Sequence, residues 1–299
     1  MKIFYSDVFV LPLPPEHRFP MEKYALLRRQ VSACELVPPE QLCLPEAATD
    51  AQIIRAHDPD YLRRVRDGLL TTQEIRRIGF PWSPELVERS RRSVGATIAA
   101  CRAALQDGVA VNLAGGTHHA FADQGAGYSV FNDSAIAART MQAEGRVRRV
   151  VIIDADVHQG NGTAAILADD PTIFTFSIHG AKNYPFRKHP SNLDIALEDD
   201  ADDLIYLAAF ERGLCQALER AGAELAIYLA GADPYFDDRL GRLAVSKSGL
   251  AERDMLVLEG CRNAGIPLAI TMAGGYARRV QDTVDIHFQT VRAATELRW

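Results

Sequence analysis

The sequence has no C-x-x-C pair: its five cysteines, Cys34, Cys43, Cys101, Cys215 and Cys261, are scattered and odd in number. That argues against a disulfide framework and against a cysteine-rich zinc site, and it fits a reducing compartment. Long apolar runs are missing too. The first twenty residues carry an apolar stretch, but prolines and charges interrupt it and no small-residue cleavage site follows. Neither a signal peptide nor a transmembrane helix is expected, so the expectation is a soluble cytoplasmic protein with no membrane contact. Basic clusters are equally scarce. Lys and Arg number 33 against 39 Asp and Glu, a formal net charge of −6, which argues against nucleic-acid binding through phosphates. Arg63-Arg64-Val65-Arg66 and Arg91-Arg92 fall inside helical patterns and read as solvated faces. No repeat, low-complexity linker or domain boundary is visible, and 299 residues at 47% hydrophobic content suffice for one large domain over residues 1–299.

What is present is an alternation of short apolar runs with helical patterns. Strands are expected at 2–5, 109–113, 150–154, 173–177, 225–229 and 267–271, mostly uninterrupted in apolar character, as in strands buried on both faces. Helices are expected at 84–106, 132–143, 201–221, 248–264 and roughly 277–297. Ser83-Pro84 supplies a capping serine and a first-turn proline, and Gly145, Gly222 and Gly265 mark helix ends. The order predicts an α/β fold with a single open parallel sheet and helices on both faces. Chemistry on such a sheet is expected beyond the carboxyl ends of its strands.

Four polar clusters fall at those ends: Gly115-Gly116-Thr117-His118-His119, Asp154-Ala155-Asp156-Val157-His158, Gly231-Ala232-Asp233 and Gly274-Gly275-Tyr276. In Asp154-x-Asp156-x-His158 an extended backbone projects all three side chains one way. Asp156 and His158 with Asp233 make a three-ligand set of the kind catalytic zinc uses, and Asp154 falls behind them to orient an imidazole. The same two-carboxylate, one-histidine set also takes iron(II). Helix capping is the competing explanation, and Gly160-Asn161-Gly162 does open a helix, but capping does not call for Asp, Asp and His in strict alternation. His118 and His119 read either as loop polar residues or as an acid–base pair. Tyr276 reads as packing or as an oxyanion donor. Nucleotide binding finds no G-x-G-x-x-G after a first strand, and Ser177 has no G-x-S-x-G context. His57, His179, His189 and His287 read as packing or surface groups.

Taken together, GGTHH, DADVHQGNG, GADP and GGY resemble, in order and spacing, the histone deacetylase-like amidohydrolases. The resemblance runs over nearly the whole chain, from HRFPMEKYALL onward, and residues 77–100 and 238–254 look most like the class IV branch and its bacterial relatives. It implies an arginase–deacetylase fold of about eight strands, and removal of acyl groups from acylated lysine in proteins or peptides or from a related small acylated amine. It implies Zn2+ on Asp156, His158 and Asp233, Asp154 behind His118, and Tyr276 on the substrate carbonyl. A structural potassium is implied at Asp154, Asp156, His158, Ser177 and Ile178. Gly116, Tyr128 and Gly275 match the substrate channel, and Arg18 matches a buried arginine near the acetate exit. Asn161 stands where class I relatives carry aspartate behind the second histidine. Three alternatives remain: an acetylpolyamine amidohydrolase, a manganese ureohydrolase, which would call for a DAHxD segment, and a non-catalytic acyl-lysine binder.

Overall fold

The computed structural model describes every residue of 1–299 except Pro15 and Arg298. Its strands are β1 (Ile3–Phe4), β2 (Leu42–Cys43), β3 (Val109–Asn112), β4 (Val150–Asp154), β5 (Ile173–Gly180), β6 (Leu193–Leu197), β7 (Leu225–Leu229) and β8 (Leu268–Thr271). All pair in parallel, in the order β2-β1-β3-β8-β7-β4-β5-β6. The open parallel sheet expected from the sequence is therefore the sheet that forms, with the eight strands the family resemblance implied. The chain leaves β3, runs three places across to β4, and returns later to fill the two places between with β7 and β8.

The helices are α1 (Glu22–Ala33), α2 (Asp50–Ile53), α3 (Pro59–Arg66), α4 (Thr72–Ile78), α5 (Pro84–Asp107), α6 (Asp133–Ala143), α7 (Asn161–Leu167), α8 (Asp203–Ala221), α9 (Lys247–Asn263) and α10 (Val280–Glu296). They cover both faces of the sheet. Side chains alternate along a strand, so Val151 and Ile153 of β4 join one core with Leu27 of α1, Phe210 of α8, Leu250 of α9 and Val284 of α10. Val150 and Ile152 join the other, with Tyr61 of α3, Ile98 of α5 and Ile136 of α6. Two faces buried at once explain why the central strands read as unbroken apolar runs.

Helix ends follow local chemistry. Ser83 accepts a hydrogen bond from Leu86 N–H, with Pro84 in the first turn of α5. Thr71 and Glu74 form a reciprocal capping box on α4, which closes on Gly79 at φ +86°. α4 thus stops sharply, and its last turn borders the site described next. No helix among the described residues is long and apolar enough to cross a membrane.

Candidate active site

The four polar clusters emerge from β3, β8, β7 and β4, four neighbouring strands at the centre of the sheet. Parallel pairing puts all their carboxyl ends on one edge, so the sheet itself gathers the clusters. Asp156 Oδ1 lies 2.9 Å from His158 Nδ1, and Asp233 Oδ2 lies 3.2 Å from the same nitrogen. Asp156, His158 and Asp233 are all buried, and one ligand atom from each falls within 4.8 Å of the others.

This cluster is short of positive charge. Burial and the neighbouring Asp156 carboxylate push Asp233 up to about 7. Burial would lower His158, but Asp156 and Asp233 outweigh it and push it up to about 10. Asp233 Oδ2 accepts no hydrogen bond from any described residue, the approach of His158 being too poorly aligned to count as one. The other carboxylate oxygens are fixed: Asp233 Oδ1 accepts from Val157 N–H at 2.9 Å and Asp156 Oδ2 from Gly274 N–H at 2.7 Å. Two carboxylates and an imidazole held this tightly fit a divalent cation, which would replace a shared proton with two charges.

The two adjacent histidines have different partners. His118 Nδ1 donates to Asp154 Oδ2 at 2.6 Å. Burial opposes its positive form, yet the Asp154 and Asp156 charges prevail and raise it to about 9. His119 Nδ1 donates to the Asn161 side-chain oxygen at 2.8 Å, which leaves Nε2 as an acceptor. Burial, with the charges of His118 and His158, holds His119 well below the usual histidine value. Near-identical neighbours in sequence are therefore set apart, one toward holding a proton and one toward accepting it.

Tyr276 is buried, and burial together with Asp156 and Asp233 raises its hydroxyl well above 10, so it remains a donor. Its backbone N–H donates to Asp238 Oδ2 at 2.6 Å. Asp238 Oδ1 also accepts from Leu240 and Gly241, so one carboxylate joins the tyrosine to the following loop. Around the cluster lies an inner chamber of about 50 Å3, lined by Gly116, His118, His119, Tyr128, Gly274 and Tyr276 among others. It opens into an outer cavity of about 630 Å3 that shares His119, Tyr128, His158 and Tyr276. Tyr128 holds a left-handed φ of 64°, rare for a bulky residue, because its N–H donates to Ile78 O at the end of α4. Gly116 lets β3 and β8 loops meet, since a Cβ there would lie 2.3 Å from Ala273 Cα.

Most of the residues singled out in the sequence converge here, and two do not. Gly275 is displaced from the channel: Gly274 lines the chamber, whereas a Cβ on Gly275 would point at Thr283 and Ala232, away from the cavities. Arg18 is exposed rather than buried near an exit. Its neighbours His17 and Phe19 turn inward, toward Gly79 O and the Tyr276 ring, and carry Arg18 outward between them. The buried cation beside the tyrosine is Lys23, whose Nζ lies 3.5 Å from Ala273 O and 3.3 Å from Gly275 O. Ser177 pairs with Asp154 across β4 and β5 and Ile178 follows it, both buried. His57, His179 and His287 are buried outside the cluster, and His189 is half-exposed.

Sequence reasoning passed over Asp238, Lys23 and Asp133. Asp133 accepts from Gly116 N–H and Thr117 N–H at 3.0 and 2.8 Å and so holds the glycine turn before His118. Asp133 falls within the helix expected over 132–143, and Asn132 caps α6, so nothing in the pattern set Asp133 apart. Asp238 sits in an acidic pair, Asp237-Asp238, that offers no pattern of its own.

A family model described as the histone deacetylase domain matches residues 17–291. An uncharacterized protein of Picosynechococcus sp. is 43% identical over 99% of this chain and 98% of its own length. Histone deacetylase 2 of Arabidopsis thaliana is 28% identical over 95% of this chain and 78% of its own. The histone deacetylase-like amidohydrolase of Pseudomonas aeruginosa is 29% identical over 79% and 66% respectively. The crystal structure of an HDAC homolog from Aquifex aeolicus superposes with a TM-score of 0.83, covering 98% of this chain and 83% of that one, at 22% identity. That last likeness is one of fold.

Proposed function

The chain belongs to the histone deacetylase family and is a hydrolase of the deacylase type; from that premise we propose that it cleaves N-acyl amides of lysine, or of a related small acylated amine, with Zn2+ held by Asp156, His158 and Asp233. The observation that carries the reading is the charge-deficient cluster itself: Asp233 Oδ2 accepts no hydrogen bond among the described residues, and Asp156 and His158 line one chamber with His119 and Tyr276. We read residues 1–299 as one catalytic unit, cytoplasmic in keeping with five free cysteines. Asp154 and Ser177, with the adjoining backbone, would take a structural potassium.

A bound divalent cation supplies Lewis acidity to an acyl carbonyl and lowers the pKa of water. The protein's own groups do the rest. His119 is fixed by Asn161 with Nε2 free, and it takes a proton from the attacking water. Tyr276 donates its hydroxyl hydrogen to the carbonyl oxygen as negative charge develops there. His118, oriented by the hydrogen bond from its Nδ1 to Asp154, gives a proton to the departing nitrogen as the C–N bond breaks. The products are a carboxylate and a free amine. The small inner chamber favours a short acyl group such as acetyl.

The test is turnover of a fluorogenic panel carrying acetyl-, trifluoroacetyl-, butyryl- and long-chain acyl-lysine, with chelation and Zn2+ return. Chelator-sensitive cleavage that favours the short groups is expected. Asp156→Ala, His158→Ala or Asp233→Ala should lose both metal and activity. Tyr276→Phe should keep metal while kcat falls about 100-fold. Metal-independent cleavage, or full activity of Tyr276→Phe, would overturn the reading.

A further inference from the structure

The outer cavity has a rim of one sign. Arg76, Arg77, Lys182, Arg239 and Arg242 line it, and no aspartate or glutamate does. The chain as a whole carries a formal net charge of −6, so this rim runs against the average of the molecule. Its members come from separate elements. Arg76 and Arg77 end α4, Lys182 follows β5, and Arg239 and Arg242 belong to the loop after Asp233.

Two of the five are already paired. Arg242 lies 2.6 Å and Lys182 3.8 Å from Asp199, and Lys182 lies 3.2 Å from Glu198. The other three meet no carboxylate within ion-pair distance among the described residues. Arg77 donates to the Gln124 side chain, and Arg239 Nε donates to Tyr276 O at 3.1 Å. Basic residues in a last helical turn suit the helix dipole, which accounts for the position of Arg76 and Arg77 on α4. It does not account for the unpaired guanidinium of Arg239, which reaches the same opening from the loop. Beside them Phe186 stands 91% exposed, an apolar shelf at the edge of the mouth.

We propose that this mouth selects acylated amines that carry carboxylates near the scissile amide, a preference that rests on the deacylase reading above. Converging unpaired cations raise the local concentration of anionic substrate and slow its departure, whereas a polyamine is repelled. Two sources supply such carboxylates, acidic side chains flanking an acyl-lysine in a peptide and the free acid of a small acylated amino acid, and the experiment separates them.

Acetyl-lysine peptides identical except for Glu, Gln or Lys on both flanks would be compared by kcat/KM on the Zn2+-loaded protein and by fluorescence anisotropy for binding. In low salt the Glu peptide should exceed the Lys peptide by about tenfold or more in both measures. Raising salt to about 0.5 M should shrink the ratio, as exposed charges are screened. The double variant Arg76→Gln/Arg77→Gln should shrink it at low salt as well. A parallel arm compares free Nε-acetyl-lysine with its blocked amide; a preference for the free acid there, without one among the peptides, assigns the rim to small substrates. Equal binding and turnover across both arms would overturn the charge preference and leave the deacylase reading standing. No cleavage of any acylated amine by folded, Zn2+-loaded protein would overturn that reading, and this proposal with it.

Discussion

Gly274 has no room for a side chain. A Cβ there would stand 2.0 Å from Asp233 Oδ2 and 2.5 Å from Asp156 Oδ2, the two carboxylates read as metal ligands. Neither carboxylate can retreat freely, because Asp233 Oδ1 is held by Val157 N–H and Asp156 Oδ1 by His158 N–H. Gly274→Ala should therefore spread the cluster rather than unfold the chain. We expect Zn2+ affinity to fall at least tenfold with a far-ultraviolet spectrum unchanged, read by competition with a chromogenic chelator; wild-type affinity would mean that the carboxylates are free to move. The glycine pair was visible in the sequence, but not which member faces the metal. Asp154, Asp156 and His158 stood out by their spacing, although β4 ends at Asp154 and the bends after it carry the other two, whereas the turn through Gly274 and Gly275 has no such spacing to read. Lys23 escaped for a related reason: its burial depends on α1 packing beside the loop after β8, a contact across 250 residues.

At the scale of elements, His57 ties the connection between α2 and α3 to the start of α6. Its Nε2 accepts from Asn132 N–H at 2.8 Å, and Nδ1 donates to Ala122 O at 3.3 Å. Burial lowers its pKa to about 4, against an ordinary 6.5. The unfolded chain thus binds this proton more readily, so the neutral ring contributes full stability above pH 6.5 and loses it as pH falls toward 4. The shift corresponds to about 3 kcal/mol. Urea unfolding from pH 7 to 4 should show the wild type losing about that much more than His57→Gln, in which the titration is gone. Parallel pH curves for the two proteins would show that His57 does not titrate on unfolding. The strong elements here were legible: β4 and β7 match their sequence-based bounds, since strands buried on both faces announce themselves by composition. β2 and β6 did not. β2 is two residues among prolines, and half-exposed β6 alternates Leu193, Ile195 and Leu197 with Asp194 and Ala196, a period-two signal lost in a polar stretch.

Across the whole molecule the site depends on a charge buried behind it. Arg253 of α9 is fully buried, and its Nη1 donates to Gly231 O at 2.6 Å and Ala155 O at 3.3 Å. Those carbonyls belong to the segments that carry Asp233 and Asp156. Its Nε and Nη2 donate to Asp254 Oδ1, which also accepts from Tyr228 O–H of β7 at 2.6 Å, while Asp254 Oδ2 accepts from Thr290 of α10. One ion pair thus joins two sheet ends and two helices. Arg253→Met would strand a buried carboxylate and should cost about 3–5 kcal/mol. Adding Asp254→Asn removes that charge yet keeps an acceptor for Tyr228, so the double variant should recover much of the stability. It cannot restore the bonds to Gly231 and Ala155. If the guanidinium fixes the spacing of the metal ligands, the double variant regains its urea midpoint but still binds Zn2+ more weakly than the wild type. Recovery of both would reduce Arg253 to an internal counter-ion, and the ligand spacing would then belong to the parallel sheet alone.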